Sequence, residues 1–395
     1  MSKELSQFAA REPSLGYFYQ IRYALYLLLS NRGGNKPVLK IENLDDIEIQ
    51  EIDKTLIFQT KLKLKSKANL TDSSIDFWKT IRVWADNIRK KRVDPDNTIF
   101  TLISTEKTSE SSFIFKLKDK VKSDTTIASV ITSMDSVSTT SLNETNQKAY
   151  AEYLKLSVKQ KESLIRNIQV IDSECDIETI TGKLKGELAF SSPPNQVENF
   201  LEILEGWWFQ TAIDHLYGGK DFILFEELQY KVSDIRDSFS LDNLPNHFGE
   251  QLEITDIEAT ALVDKNFLKQ LEIISIKLSS NTAKRAISDF RRAFDQRSKW
   301  LRLELSSPDE QTKYDERLFD HWKNLFSILQ DECEDKEIEK IADIGKNFYL
   351  NQFVKSCPQI RIREKFNEDY LIRGSFQILS DNKRIGWHPS YKDLL

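Results

Sequence analysis

The chain has 395 residues, 39% hydrophobic and 30% charged, enough apolar material for a sizeable core in two or three domains of a soluble globular protein. With only 12 glycines and 9 prolines, loop-rich and all-β architectures are disfavoured, and a net charge of −6 excludes coating of nucleic acid by bulk positive charge. That charge is uneven: residues 36–92 hold 13 Lys/Arg against 9 Asp/Glu, whereas residues 301–343 hold 6 against 13, so the two parts are expected to meet different partners.

In chain order, "GYFYQIRYALYLLLS" (16–30) reads as a helix buried on most sides, stopped by "NRGGNKP". Three strand-like runs follow: "PVLKIE", "DIEIQEI" and "TLIFQTKLKL". The third alternates, with Leu56, Phe58, Thr60, Leu62 and Leu64 on one face and Ile57, Gln59, Lys61, Lys63 and Lys65 on the other. "LTDSS" offers N-caps for a helix from about Ile75 to Lys91 whose apolar stripe is Phe77, Ile81, Trp84 and Ile88. A strand at 98–105 completes an α/β unit ordered helix, three strands, helix, strand.

Between 106 and 185 a Ser/Thr-rich stretch is expected to separate short strand or loop segments from one helical segment at about 146–168. "FSSPPNQ" (190–196) predicts a domain boundary, because Pro-Pro cannot continue a helix. The expected division is therefore 1–190 and 191–395, with helices dominating the second part and the last 40 residues mixing extended segments with turns. Cys175, Cys333 and Cys357 match no metal pattern and read as reduced thiols of a cytoplasmic protein. There is no secretory signal, no run long enough to span a bilayer, no GxxxxGK[ST] loop and no GxSxG; the four histidines lack partners at ligand spacing.

The stretch 40–63 concentrates the chemistry. Its acids and Lys61 are either ordinary solvated polar residues or a hydrolytic site. A phosphodiester hydrolase needs one or two hard divalent cations held by oxygen donors, and a group that orients or deprotonates the attacking water. Gln59 and Lys61, two apart on one strand, project from the same face. Asp46 can sit beside them if the second and third strands form a hairpin, and Glu42 can add a further ligand. Glu48, Glu51 and Asp53 read as solvated or supporting, and Trp78 and Trp84 as core. Lys63, Lys65 and Lys67, like Arg89, Lys90 and Lys91 in "RKKR", carry two readings: a solvated edge, or neutralisation of a DNA backbone.

On these residues the N-terminal part resembles the PD-(D/E)XK nuclease superfamily, a restriction-endonuclease-like α/β fold. More narrowly, "GYFYQIRYAL", "ENLDDIEI", "FQTKLK" and "LTDSSIDFWKTIRVWADN" resemble the double-stranded DNA endonuclease domain of CD-NTase-associated anti-phage effectors. The resemblance implies Asp46 as principal metal ligand, Gln59 as second ligand through its carbonyl oxygen, Lys61 as catalytic lysine and Glu42 as additional ligand. Gln20 and Asp45 would be supporting, with Mg²⁺ or Mn²⁺ as cofactor. No proline precedes Asp46, so the nominal "PD" is absent and the choice between Asp45 and Asp46 stays open.

In the second half, "GWWFQTAIDHL", "YDERLFDHWKNLF" and "YLIRGSFQILSDNKRIGWHPSY" resemble the C-terminal domain of ABC-three-component defence effectors, as in Lamassu systems. This implies a mainly helical partner-binding and oligomerisation module. It also implies an SMC-like ATPase partner that holds the nuclease inactive, a small third subunit, self-association on activation, and double-stranded DNA as substrate. Two alternatives stand beside it: a catalytically inactive DNA-binding scaffold, and a nuclease triggered by a cyclic oligonucleotide.

Overall fold

A computed structural model describes residues 11–31, 36–62, 69–173 and 179–395. The chain divides into two units, 1–236 and 237–395, rather than at residue 190. The reason lies in the segment after "FSSPP". Helix α7 (Val197–Leu216) packs on the first helix, α1 (Arg11–Ser30), and the Trp208 indole donates to the Ile21 carbonyl at 2.8 Å. The short strand that follows α7 then joins the sheet of the first unit. Pro-Pro ends a helix here without ending a domain.

The first unit is built on a sheet whose described strands lie in the order β7 (Ile168–Ile171), β5 (Thr98–Ser104), β3 (Thr55–Lys61), β2 (Ile47–Gln50), β1 (Val38–Ile41) and β8 (Ile223–Leu224). Strands β1 (Val38–Ile41), β2 (Ile47–Gln50) and β3 (Thr55–Lys61) form an antiparallel meander. A short β4 (Asn69–Leu70) leads to α2 (Ile75–Arg89), which crosses over to β5 (Thr98–Ser104), parallel to β3. Parallel neighbours need such a crossover. β6 (Lys107–Thr108) pairs with β4, β7 (Ile168–Ile171) runs parallel to β5, and β8 (Ile223–Leu224) closes the β1 edge. The expected order of helix, three strands, helix, strand is thus observed with the short β4 added before α2.

The alternation predicted for β3 decides its two faces. Ile57 joins Phe100 and Leu102 of β5 in the core beneath Phe77, Ile81, Trp84 and Ile88, the predicted stripe of α2. Leu39, Ile41, Ile47, Ile49 and Phe58 fall on the opposite parity and are also buried, on the side of α1 and α7. A sheet covered on both faces carries apolar residues on both parities, which explains the dense hydrophobic runs.

Two expectations for 106–185 fail. The Ser/Thr-rich stretch is a helix, α3 (Asp124–Thr140): Ser123 accepts from the Thr126 N–H as its cap, and Ile127, Val130 and Met134 supply a buried stripe at helical spacing. Its serines and threonines return hydroxyl bonds to carbonyls one turn back, as Thr132 does to Ala128 at 2.9 Å. The single helical segment is two helices, α4 (Gln147–Leu154) and α5 (Val158–Asn167), broken where Ser157 and Gln160 form a capping box. Helix α6 (Thr179–Leu188) then precedes α7, and α8 (Phe225–Ser238) follows β8.

The second unit is helical: α9 (Asp256–Ala261), α10 (Asn266–Ile273), α11 (Asn281–Arg302), α12 (Pro308–Cys333), α13 (Ile338–Tyr349), α14 (Asp369–Asp381) and α15 (Tyr391–Leu394). A π-helical turn, Leu350–Lys355, extends α13. Within the stretch near the C-terminus expected to mix extended segments with turns, Asp369–Asp381 is instead the helix α14. Its "RGSFQ" packs rather than reacts. Arg373 pairs with buried Asp289 at 2.6 Å, Ser375 accepts from Arg297 at 3.3 Å, and Gln377 donates to the Tyr349 hydroxyl at 3.0 Å. "GWHP" is a tight turn at the C-terminus: Trp387 is wholly buried, the Gly386 carbonyl accepts the Trp322 indole at 2.9 Å, and His388 Nδ1 accepts from the Ser390 N–H at 3.2 Å. Cys333 is buried and Cys357 half-buried, while Cys175 lies outside the described residues. No described helix is long and apolar enough to cross a membrane.

Candidate active site

The acidic turn 42–46 joins β1 to β2 and is pinned from two helices. Glu42 takes a left-handed backbone conformation (φ 55°), uncommon for a side-chain-bearing residue, and its N–H closes the turn on the Asp46 carbonyl at 3.0 Å. From α1, the Gln20 amide donates to Glu42 Oε1 at 3.0 Å and to the Asp46 carbonyl at 2.7 Å. From α2, Asn87 donates to the Leu44 carbonyl at 2.9 Å and the Trp84 indole to Asp45 Oδ2 at 2.5 Å. Gln20, expected in a supporting place, thus contacts the turn directly.

Asp46 precedes β2, one step beyond the Ile47–Phe58 pair. Its Oδ2 accepts the Thr60 N–H and the Thr60 hydroxyl, both at 2.8 Å, so it caps β3 where β2 has ended. The Asp45 side chain reaches its carboxyl end into an enclosed spot. Burial and the neighbouring Asp46 charge push that carboxyl up to about 8, against the opposing pull of the Trp84 N–H and the Lys61 ammonium. Lys61 therefore lies within electrostatic reach of Asp45. Gln59, two residues back and buried, shares its face.

Glu48, expected to be either solvated or supporting, is not solvated. It is wholly buried in β2, with its two oxygens taken by the Asn43 amide at 2.6 Å and the Gln50 amide at 2.5 Å. The alternating hydrophobic pattern of "IEI" gave no sign of this; the amides at positions 43 and 50 were the available signal. Lys63, Lys65 and Lys67 lie outside the described residues. Arg89 and Lys90 both pair with Asp86, at 3.0 and 2.7 Å, and Arg89 also reaches Glu152 at 3.4 Å, while Lys91 is exposed. The predicted basic cluster is thus partly neutralised by its own helix.

Carboxylate and amide oxygens are donors of the type a hard divalent cation takes. Among the described residues, no three of His, Cys, Asp or Glu converge to hold a metal, so the Gln59 carbonyl would be needed as a further donor. The histidines are structural where their contacts are seen: His215 Nε2 accepts from the Ile41 N–H at 3.0 Å and its Nδ1 lies 2.8 Å from the Lys220 carbonyl.

No curated protein matches this chain. Among solved structures, the Acinetobacter baumannii Cap4 SAVED/CARF-domain containing receptor covers 74% of this chain and 70% of its own, at 13% identity and a TM-score of 0.32. A Moraxella osloensis Cap4 SAVED/CARF-domain containing receptor covers 74% and 69%, at 12% identity and 0.31. Superpositions at this level carry no argument about fold or ligand. Residues 267–395 match the family model of C-terminal domain 7 of the ABC-three component (ABC-3C) systems, so the second unit is similar to a domain of those multi-component systems.

Proposed function

We propose that this chain is a metal-dependent double-stranded DNA endonuclease and the effector subunit of an anti-phage complex of the ABC-three-component, Lamassu type. The observation that carries the reading is the placement of Gln59 and Lys61 on one face of β3, beside the acidic β1–β2 turn whose Asp46 bonds Thr60 of the same strand, in a unit ordered helix, three antiparallel strands, helix, parallel strand. That order supports a restriction-endonuclease-like fold. Similarity of residues 267–395 to an ABC-3C domain supports membership of a multi-subunit assembly.

A bound Mg²⁺ or Mn²⁺ would supply Lewis-acid neutralisation of the scissile phosphate. The acidic pair and the Gln59 carbonyl would hold it, with Glu42 at the rim. Lys61 would orient the attacking water and stabilise charge on the phosphate oxygens. An unrestrained nuclease damages its host, so an SMC-like ATPase partner and a small third subunit would hold it inactive. Release would allow self-association, because cutting both strands requires two sites. The test is purified protein with plasmid DNA and Mg²⁺, against EDTA and Lys61→Ala. Cleavage only in the first arm supports the reading, and equal degradation in all three overturns it.

A second reading, an inactive DNA-binding scaffold of the same complex, is favoured by one observation: the strand position beside Lys61 holds the neutral Gln59, and the described acids do not converge in threes. Tight DNA binding without cleavage in any divalent metal or assembly state would decide for it.

A further inference from the structure

We propose that α1 and α7 of the first unit present a dimerisation face, and that its occupant is the same face of a second copy of this chain. The proposal deepens the self-association in the reading above by giving it a place, and its readout is mass rather than cleavage.

Helix α7 is apolar on two opposite sides. Phe200, Leu201, Leu204, Trp208, Thr211 and Ala212 make up the buried side. Phe209, Ile213, Leu216 and Tyr217 recur at helical spacing on the side facing away from it, and all four are exposed. On α1, Tyr17 and Phe18 are exposed as well, and the Phe18 and Phe209 rings lie 6.1 Å apart, so the two helices share one patch. These six side chains are 39% to 93% exposed. Large side chains carry about 150–250 Å² each, so they leave roughly 600 Å² of apolar surface bare. That is the top of the range a monomer exposes, about 300–600 Å², and most of the roughly 800 Å² a side that a stable dimer buries.

Three features of the patch fit a second copy. It is self-complementary: beside its projecting rings, an open groove of about 500 Å³ lies between the helices, lined by Phe18, Ile21, Gly206 and Phe209. The same surface therefore offers both the knob and the hole that an isologous contact needs. Its central charges are balanced, because Arg22 and Glu205 pair across the groove at 2.6 Å, so like copies meet there without mutual repulsion. The remaining carboxylate on this side of α7, Glu202, stands at the N-terminal end of the stripe. A twofold axis crossing α7 between Phe209 and Ile213 sets the two α7 helices antiparallel. That arrangement sends the two Glu202 side chains to opposite ends and opposes the helix dipoles.

The test is analytical ultracentrifugation of the purified full chain over a concentration series. It compares the wild type, Phe209→Lys combined with Ile213→Lys, and Val158→Lys on the exposed side of α5 as control. The wild type should be a reversible dimer at micromolar concentration. The paired lysines should raise the dissociation constant about a hundredfold or more, with an unchanged circular dichroism spectrum, and Val158→Lys should match the wild type. If the paired variant does not fold, Tyr217→Lys, at the exposed end of α7, gives the same comparison. Ile213→Cys should join two chains through a short bismaleimide, whereas Val158→Cys should not. A monomeric wild type at micromolar concentration overturns the proposal and leaves the face to a different protein. Association that survives the lysines, or no cross-link through Ile213→Cys, overturns it too. A chain that dimerises through this face yet never cuts DNA overturns the nuclease reading alone.

Discussion

The Gln20 side chain in α1 reaches Glu42 across the β1–β2 turn, donating to its Oε1 at 3.0 Å while the same nitrogen lies 2.7 Å from the Asp46 carbonyl. A single amide therefore ties α1 to the residue of the acidic turn with left-handed backbone. Gln20→Leu keeps the volume and removes both bonds. It is expected to cost about 1–3 kcal/mol of stability, read by urea denaturation, and to lower cleavage more than that loss alone explains. Unchanged cleavage would mean that the turn holds its shape without α1.

Glu48 is a wholly buried acid held by two neutral amides, Asn43 and Gln50. Glu48→Leu strands both donors and is expected to destabilise by about 2–4 kcal/mol. Glu48→Gln retains one accepting oxygen and should cost roughly half as much. Denaturant midpoints of the two variants decide this, and equal losses would argue that packing rather than hydrogen bonding sets the position.

Asp86 holds both Arg89 and Lys90. If these side chains contact a DNA backbone, Asp86→Ala frees them. Affinity for a nonspecific duplex should rise a few-fold at low salt, and the salt slope should steepen by about one counterion. Fluorescence anisotropy across a salt series measures both. No change in slope would remove Arg89 and Lys90 from the DNA surface.

In the second unit, burial pushes the His247 imidazole down to about 4, aided by the Lys299 ammonium. The folded state thus binds a proton less readily than the unfolded chain, whose histidine titrates near 6.5. Its contribution is present above about pH 6.5 and lost as pH falls toward 4, a loss on the order of 1–2 kcal/mol after solvent screening. His247→Gln should flatten stability against pH across that window, measured by thermal midpoint at matched ionic strength. An unchanged profile would exclude His247 as a source of acid sensitivity.

Gly374 in α14 lies against the Asp289 carbonyl and the Ala293 methyl of α11, with no room for a Cβ. Gly374→Ala is expected to destabilise by about 3 kcal/mol or more through overpacking, or to prevent folding, whereas exposed Gly206→Ala in α7 should be neutral or stabilising. The pair of midpoints checks it.

The meander, α2 and β5 were legible because strand alternation and the Phe77–Ile81–Trp84–Ile88 stripe are local signals. The face shared by Gln59 and Lys61 followed from alternation alone. The different partners of Asp45 and Asp46 did not, because Trp84 and Thr60 lie 39 and 14 residues away along the chain. α3 was hidden by its hydroxyl-rich composition, which favours caps and turns until a buried stripe overrides it. In α14, Gly374 and the polar residues of "RGSFQ" read as irregular chain, although each is used in helix-to-helix packing.

The short β8 strand has a consequence for handling the first unit. β1 would otherwise end the sheet with unpaired amides and carbonyls, and it is covered by Ile223 and Leu224, while His215 takes up the Ile41 N–H. A fragment cut at residue 190 would lose this cover and present a bare edge for another chain to add to, inviting fibrous or amorphous aggregation. A fragment ending at Arg236 carries its own edge guard and is the length at which the first unit should stay monodisperse.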